Sequence, residues 1–266
     1  MPEPRSRQAR AAYNYPDYTQ DLIEILDAEG IDKVISVGHD WGSLLAQRLY
    51  NHHPDRVEGL VLINVGYMPP SADAIDINAA NDQLEKIFGY PLLAYQAFFI
   101  SDEAPAILNS NAGRVFDALH GAPENWMRDI FCVRGAMRKW LLGNTEVELR
   151  PYAQDPRLKD AFIQRFQQDG FDGPLCYYRA INQHKAQQEG VERLANDAAV
   201  VKVPTLYIIC KQDFVCRPEV TYRAKQAGLL PDFEEATLDR AHWSPMESPG
   251  EIASLIKSFL ERKFGS

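Results

Sequence analysis

The sequence predicts an α/β fold, a mostly parallel sheet flanked by helices, with a long helical segment inserted between two of its strands. Three observations predict it. Short apolar runs bounded by polar or turn residues alternate with helical patterns towards both ends of the chain. The run at 57–65 is apolar almost throughout, as expected of a parallel strand covered on both faces. After Gly66-Tyr67-Met68-Pro69-Pro70 the strand pattern stops, and it does not return until Val201.

Residues 1–12 are polar and Arg-rich without an apolar run, so they read as a solvated tail and lack the core of a signal peptide. From 18 to 28, Leu22, Ile23, Ile25 and Leu26 predict a helix closed by Gly30. Lys33-Val34-Ile35-Ser36-Val37 reads as a buried strand. Leu44, Leu45, Arg48 and Leu49 then recur at helical spacing, and that helix ends near His53-Pro54. Within the insertion, Gly121-Ala122-Pro123 and Asp155-Pro156 signal turns, and Asp172-Gly173-Pro174 introduces another helix. Strands follow at 203–210 and 233–238, and a closing helix runs from Pro249 to about Phe264. The expected organisation is a tail at 1–16, a main domain from 17–66 and 200–266, and a helical cap at 67–199.

At 266 residues with 45% hydrophobic content, the chain can build one substantial core. A net charge of −9 and pI near 5.2 argue against nucleic acid or an anionic membrane as partner, since both are polyanions. No apolar stretch approaches the roughly 20 residues needed to span a bilayer. Cys132, Cys176, Cys210 and Cys216 show no metal-ligand spacing and read as reduced thiols of a cytoplasmic protein. No pair of histidines has zincin spacing and no Gly-rich phosphate loop appears, so neither a metal nor a cofactor is expected. Arg128, Arg134, Arg138 and Lys139 read as a solvated helix face, and Phe98-Phe99-Ile100 as cap core or substrate wall.

The segment Gly38-His39-Asp40-Trp41-Gly42 carries the chemistry. Between a strand and a helix, Gly38-x-Asp40-x-Gly42 matches the nucleophile elbow G-x-S-x-G, with a carboxylate where the hydroxyl stands. Both glycines are expected where strand and helix backbones cross closely. A serine needs a base before it can attack a carbonyl, whereas a carboxylate is ionised at neutral pH and can displace a leaving group from saturated carbon. The blander reading makes Asp40 a helix cap. The elbow scheme then requires an acid and a histidine, in that order. Asp213 lies just past the strand at 203–210, and His242 follows the strand at 233–238. His39, His52, His53, His120 and His184 compete for the base role, but none follows a strand end in the required order.

These residues resemble the epoxide hydrolases of the α/β-hydrolase fold, of the microbial and soluble type, from about Asp17 to the C-terminus. The resemblance rests on Gly38-His39-Asp40-Trp41-Gly42, on Lys211-Gln212-Asp213-Phe214-Val215 and on Ala241-His242-Trp243-Ser244-Pro245-Met246-Glu247-Ser248-Pro249. It implies that Asp40 is the nucleophile, that His242 is the general base and that Asp213 orients it. In the cap, Gly173-Pro174-Leu175-Cys176-Tyr177-Tyr178-Arg179 and Ala94-Tyr95-Gln96-Ala97-Phe98-Phe99 look like the two segments carrying the tyrosines that bind the epoxide oxygen, which implies those roles for Tyr178 and Tyr95. Trp41, through its backbone N–H, is expected to serve the oxyanion hole, and His39, Gln96 and Trp243 are expected to line the oxyanion and substrate site.

The implied reaction is hydrolysis of an organic epoxide to a vicinal diol through an Asp40 ester, with water as co-substrate. A polyketide or terpenoid epoxide fits as well as a xenobiotic one. Haloalkane dehalogenases share the elbow motif, and a dehalogenase or a catalytically silent binding protein are the alternatives. The family also implies further strands ahead of the helix at 18–28, and a His-Gly-aromatic-Pro loop completing the oxyanion hole. The sequence contains neither, which suggests a truncated gene product or paralogue. It puts the elbow strand at an open sheet edge for another segment or chain to cover, a homodimer being one arrangement.

Overall fold

The computed structural model describes residues 14–180, 190–192 and 194–265, so residues 1–13 of the tail expected at 1–16 and His184 lie outside the described residues, while Tyr15 and Pro16 belong not to a tail but to the first helix. The described residues fall into two compact units. One comprises residues 74–180, and the other joins residues 14–73 to those from 190 onward.

The second unit is built on a four-stranded sheet, β1 (Val34–His39), β2 (Val57–Ile63), β3 (Thr205–Cys210) and β4 (Phe233–Leu238), whose spatial order is also the chain order. Every pairing is parallel, so all four strands end on the same side. The near-continuous apolar runs are explained by cover on both faces. Leu60 and Leu62 of β2 pack with Tyr207 and Ile209 of β3 against Ile23, Ala46, Leu49 and Tyr50 of the two N-terminal helices. Val61 and Ile63 pack with Leu206 and Ile208 against Ile252 and Phe259 of the closing helix. Among the described residues β1 is an edge, and its Val37 is 49% exposed.

The first helix spans Tyr15–Ala28, beginning three residues earlier than the apolar period suggests. The Asn14 side chain accepts from the Asp17 N–H, and Pro16 in the first turn adds to the start signal. At its other end Gly30 adopts φ +68, and the N–H groups of Gly30 and Ile31 return to Asp27 and Leu26. The closing helix is Pro249–Phe264 and β4 is Phe233–Leu238, as the sequence pattern predicts. β2 is shorter than expected, because Asn64 turns to φ 66 and ends it at Ile63.

The other unit is helical: Ile77–Phe88, Ala94–Phe99, Ala104–Ser110, Ala112–His120, Trp126–Phe131, Ala136–Leu142, Pro156–Asp169 and Asp172–Ala180. Asp76 and Asp155 cap two of these helices through their side chains, and Gly89 ends the first in the left-handed region. Phe166 stacks on Phe171 at 4.0 Å, with Phe162 tilted against both. Arg128, Arg134 and Arg138 pair with surface acids, but the expectation that they share a helix face is corrected: Arg128 lies on Trp126–Phe131, Arg138 on Ala136–Leu142 and Arg134 in the turn between them. No described helix is long and apolar enough to cross a membrane.

The two elbow glycines differ. A Cβ on Gly38 would lie 2.1 Å from the Gly42 carbonyl oxygen and 2.5 Å from the Ser43 nitrogen, whereas one on Gly42 would meet nothing within 4 Å. The expectation that both are sterically required is corrected: Gly38 is required and Gly42 only presents the backbone it must clear. Gly38→Ala is expected to cost about 3 kcal/mol or more, because backbone and not side chain would have to move. Gly42→Ala, in the first turn of a helix, is expected to be neutral or to stabilise by about 0.5–1 kcal/mol. Urea denaturation of the two variants measures the contrast.

Candidate active site

Each of the four parallel strands delivers a polar residue at or just beyond its C-terminal end: Asp40 after β1, Asn64 after β2, Asp213 after β3 and His242 after β4. Asp40 has φ 53 and ψ −121, a backbone conformation that costs a non-glycine residue about 1–3 kcal/mol. The surroundings enforce it. The Asp40 N–H donates to the Ile63 carbonyl at 3.2 Å, and the Asp40 carbonyl accepts from Ser43 N–H at 2.9 Å. Fully buried Ser43 donates its hydroxyl to the Gly38 carbonyl at 2.6 Å and accepts the Ile63 N–H at 2.9 Å, tying the elbow to the next strand. Asp40 occupies the cap position of the helix Trp41–His52 but makes no capping hydrogen bond with its side chain. The helix-cap reading therefore fails, and the carboxylate is left for other partners.

His242 is one partner. Its Nε2 lies 3.7 Å from Asp40 Oδ1, while its Nδ1 is 2.7 Å from Asp213 Oδ2. Asp213, 1% exposed, is held from three further sides. Asn64 Nδ2 donates to Oδ2 at 2.6 Å, and the N–H groups of Val215 and Cys216 donate to Oδ1 at 2.9 Å each. Burial alone would raise the Asp213 pKa, but the facing imidazole and these donors hold it well below the usual carboxylate range. For His242, burial favours the neutral ring, yet Asp213 and then Asp40 outweigh it and push its pKa up to about 9. The loop carrying His242 is pinned where the Ala241 N–H donates to Glu247 Oε2 at 3.0 Å.

His39 sits beside His242. Its Nε2 lies 2.7 Å from the His242 carbonyl oxygen, and burial, followed by the neighbouring His242, lowers its pKa. That ring nitrogen braces the His242 loop through its backbone. Trp243 packs edge-on against His242 at 5.4 Å and tilts against His39 at 5.6 Å. Trp41 opens the elbow helix.

Within the helical unit, Tyr95 on the helix Ala94–Phe99 and Tyr178 on the helix Asp172–Ala180 meet edge to face at 5.8 Å. Phe99 lies edge-on to both, and Phe131 to Tyr95. Buried Gln96 donates from Nε2 to the Tyr95 phenol oxygen at 3.2 Å, an arrangement that orients the phenol hydrogen away from Gln96. Of the competing histidines, His120 belongs to this unit and faces the Tyr152 hydroxyl at 3.1 Å.

Residues 3–249 match the family described as alpha/beta hydrolase fold. The chain belongs to that family. Among curated α/β-hydrolase relatives, it is 28% identical over 262 residues to epoxide hydrolase A of Mycobacterium tuberculosis, covering 95% of this chain and 76% of that protein. It is 26% identical to bifunctional epoxide hydrolase 2 of Mus musculus, covering 91% of this chain but only 42% of the mouse protein. The chain thus spans less than half the length of such bifunctional relatives. Among solved structures, a mutant of epoxide hydrolase from Solanum tuberosum has a TM-score of 0.71 at 25% identity, covering 95% of this chain and 78% of that one. Epoxide hydrolase A from Mycobacterium thermoresistibile has a TM-score of 0.73 at 24% identity, covering 98% and 78%.

Sequence reasoning misses three residues of this α/β-hydrolase site. Ser43 carries no signal of its own. Asn64 was open to the rule that finds Asp213, a polar residue just past a strand, but is hidden when the strand is extended through Val65. Cys216 becomes visible only when the loop after β3 is seen to fold back, placing its Sγ 3.8 Å from Asp40 Oδ1.

Two outcomes are expected. Asn64→Ala removes a donor from a buried carboxylate and puts alanine at φ 66, and is expected to cost about 2–4 kcal/mol in urea denaturation. The raised His242 pKa contributes stability that is fully present below the unfolded value near 6.5 and is lost as pH rises through about 9. The stability gap between wild type and His242→Gln is therefore expected to narrow from pH 6.5 to 9, read from unfolding curves at each pH.

Proposed function

We propose that the chain hydrolyses an organic epoxide to a vicinal diol through a covalent ester on Asp40. The observation that carries this reading is a carboxylate, not a hydroxyl, at a strained elbow apex facing a histidine held by a buried acid. Such a nucleophile suits saturated carbon, and it forms an ester that water can cleave at the carbonyl. The similarity to relatives named epoxide hydrolases supports the same choice.

In the first half, an Asp40 oxygen attacks an epoxide carbon and the C–O bond breaks. Tyr95 and Tyr178 are the residues this reading assigns to hydrogen-bond the epoxide oxygen, and one protonates the developing alkoxide and is reprotonated from solvent. In the second half, His242 takes a proton from water, the hydroxide adds to the Asp40 ester carbonyl, and the diol leaves with the carboxylate restored. The backbone N–H of Trp41 is the donor this reading assigns to the transient oxyanion. The electrostatics fit that order. With Asp40 and Asp213 ionised, His242 is held cationic; esterification removes the Asp40 charge, so the imidazole becomes easier to deprotonate when a base is needed. In this reading the reacting partners are a small epoxide and water, and four cysteines in the thiol form suit a reducing, cytoplasmic setting.

Intact-protein mass spectrometry with styrene oxide, with the diol quantified in parallel, tests the assignment. Wild type is expected to turn over, Asp40→Asn to give neither adduct nor diol, and His242→Gln to accumulate the alkyl ester. Tyr178→Phe is expected to slow ester formation about 10²- to 10³-fold. Halide release from a haloalkane that depends on Asp40 but is indifferent to Tyr178→Phe would favour a dehalogenase, and absence of both adduct and diol would favour a silent binding protein.

A further inference from the structure

The loop after β3 brings a thiol into the catalytic group. One ligand atom from each of Asp40, Cys216 and His242 lies within 4.8 Å of the others. Cys216 Sγ is 3.8 Å from Asp40 Oδ1, and His242 Nε2 is 3.7 Å from the same oxygen. A tetrahedral zinc ion, with bonds of about 2.0–2.3 Å to nitrogen, oxygen and sulfur, needs ligand atoms roughly 3.3–3.6 Å apart. The two separations from Asp40 Oδ1 exceed that span by only a few tenths of an ångström, while Cys216 Sγ approaches the imidazole at Nδ1, 3.9 Å away, so ligation through Nε2 requires the thiol to rotate towards that edge of the ring.

The surrounding shell is also suitable. His242 presents Nδ1 to the Asp213 carboxylate at 2.7 Å, which fixes the tautomer with Nε2 unprotonated when the ring is neutral. A carboxylate behind a ligating imidazole is the usual outer support of protein zinc sites, and here Asp213 is itself anchored by Asn64 and two backbone N–H groups. We propose that Asp40, Cys216 and His242 form an inhibitory binding site for a thiophilic divalent cation, Zn²⁺ being the first candidate.

Binding balances as follows. The ion displaces one proton from the Cys216 thiol and one from the His242 imidazolium, and takes the Asp40 carboxylate as it stands, leaving a fourth position for solvent. Occupancy removes nucleophile and base together, so the ion opposes hydrolysis and does not assist it. Cys216 sets the selectivity, since a thiolate ligand prefers Zn²⁺ over Mg²⁺ or Ca²⁺.

Because the site concerns binding, it can be tested whether or not the chain turns over an epoxide. The probe is Co²⁺ added to the purified, metal-stripped full chain, followed by absorption spectroscopy and then displacement with Zn²⁺. One equivalent of Co²⁺ is expected to give a near-ultraviolet sulfur-to-cobalt charge-transfer band that Zn²⁺ abolishes. That band is expected to vanish in Cys216→Ala, and Co²⁺ affinity to fall at least tenfold in His242→Gln, with circular dichroism showing both variants folded. In an active preparation, Zn²⁺ is expected to block diol formation reversibly with EDTA, while Mg²⁺ does not. A charge-transfer band that persists in Cys216→Ala, or Co²⁺ binding without one in the wild type, overturns the proposal.

Discussion

The close crossing at Gly38 is the constraint on which the site depends. Where β1 passes under the start of the next helix there is no room for a Cβ, and this proximity lets Ser43 reach the carbonyls of both Gly38 and Ile63. With strand and helix so fixed, the residue between them cannot relax, and Asp40 is held at a positive φ with its side chain projecting from the apex. Backbone strain of this kind persists only where neighbouring structure over-determines it. Here the over-determination comes from a missing methyl group and one buried hydroxyl.

A second dependence is electrostatic. Asp213 is a buried charge, which is tolerable only because its oxygens receive an imidazole, an amide and two backbone N–H groups. The negative field it generates acts on His242, keeping the ring oriented and cationic, and on Cys216, whose thiol is pushed well up by burial and by the two carboxylates. One anchored aspartate thereby acts on both neighbours, together with burial and the Asp40 carboxylate.

Much of this was legible in the sequence because it is local. The strand–glycine–acid–helix succession at 33–49 states the elbow, and a polar residue after an apolar run finds Asp213 and His242. The limits of β4 and the closing helix are written in residues 233–238 and 249–264 by patterning and by Pro249. What was not legible depends on lateral order in the sheet. Asn64 serves Asp213 only because β2 and β3 are neighbours, and Cys216 meets Asp40 only because its loop folds back across strand ends. The lack of zincin spacing is a statement about one helix face and is silent about ligands arriving from three separate segments. Gly42, required by the motif frame, proved free of steric demand.

The pairing of β2 with β3 also bears on how the chain reaches this structure. These strands are hydrogen-bonded neighbours, yet the whole helical unit separates them in sequence. Closing so long a loop costs entropy before the central pair returns any contact, and such non-local pairing slows folding. The sheet that presents the candidate nucleophile, acid and base is complete only once β2 has paired with β3 across the inserted residues, and no partial sheet lacking β3 and β4 contains the site.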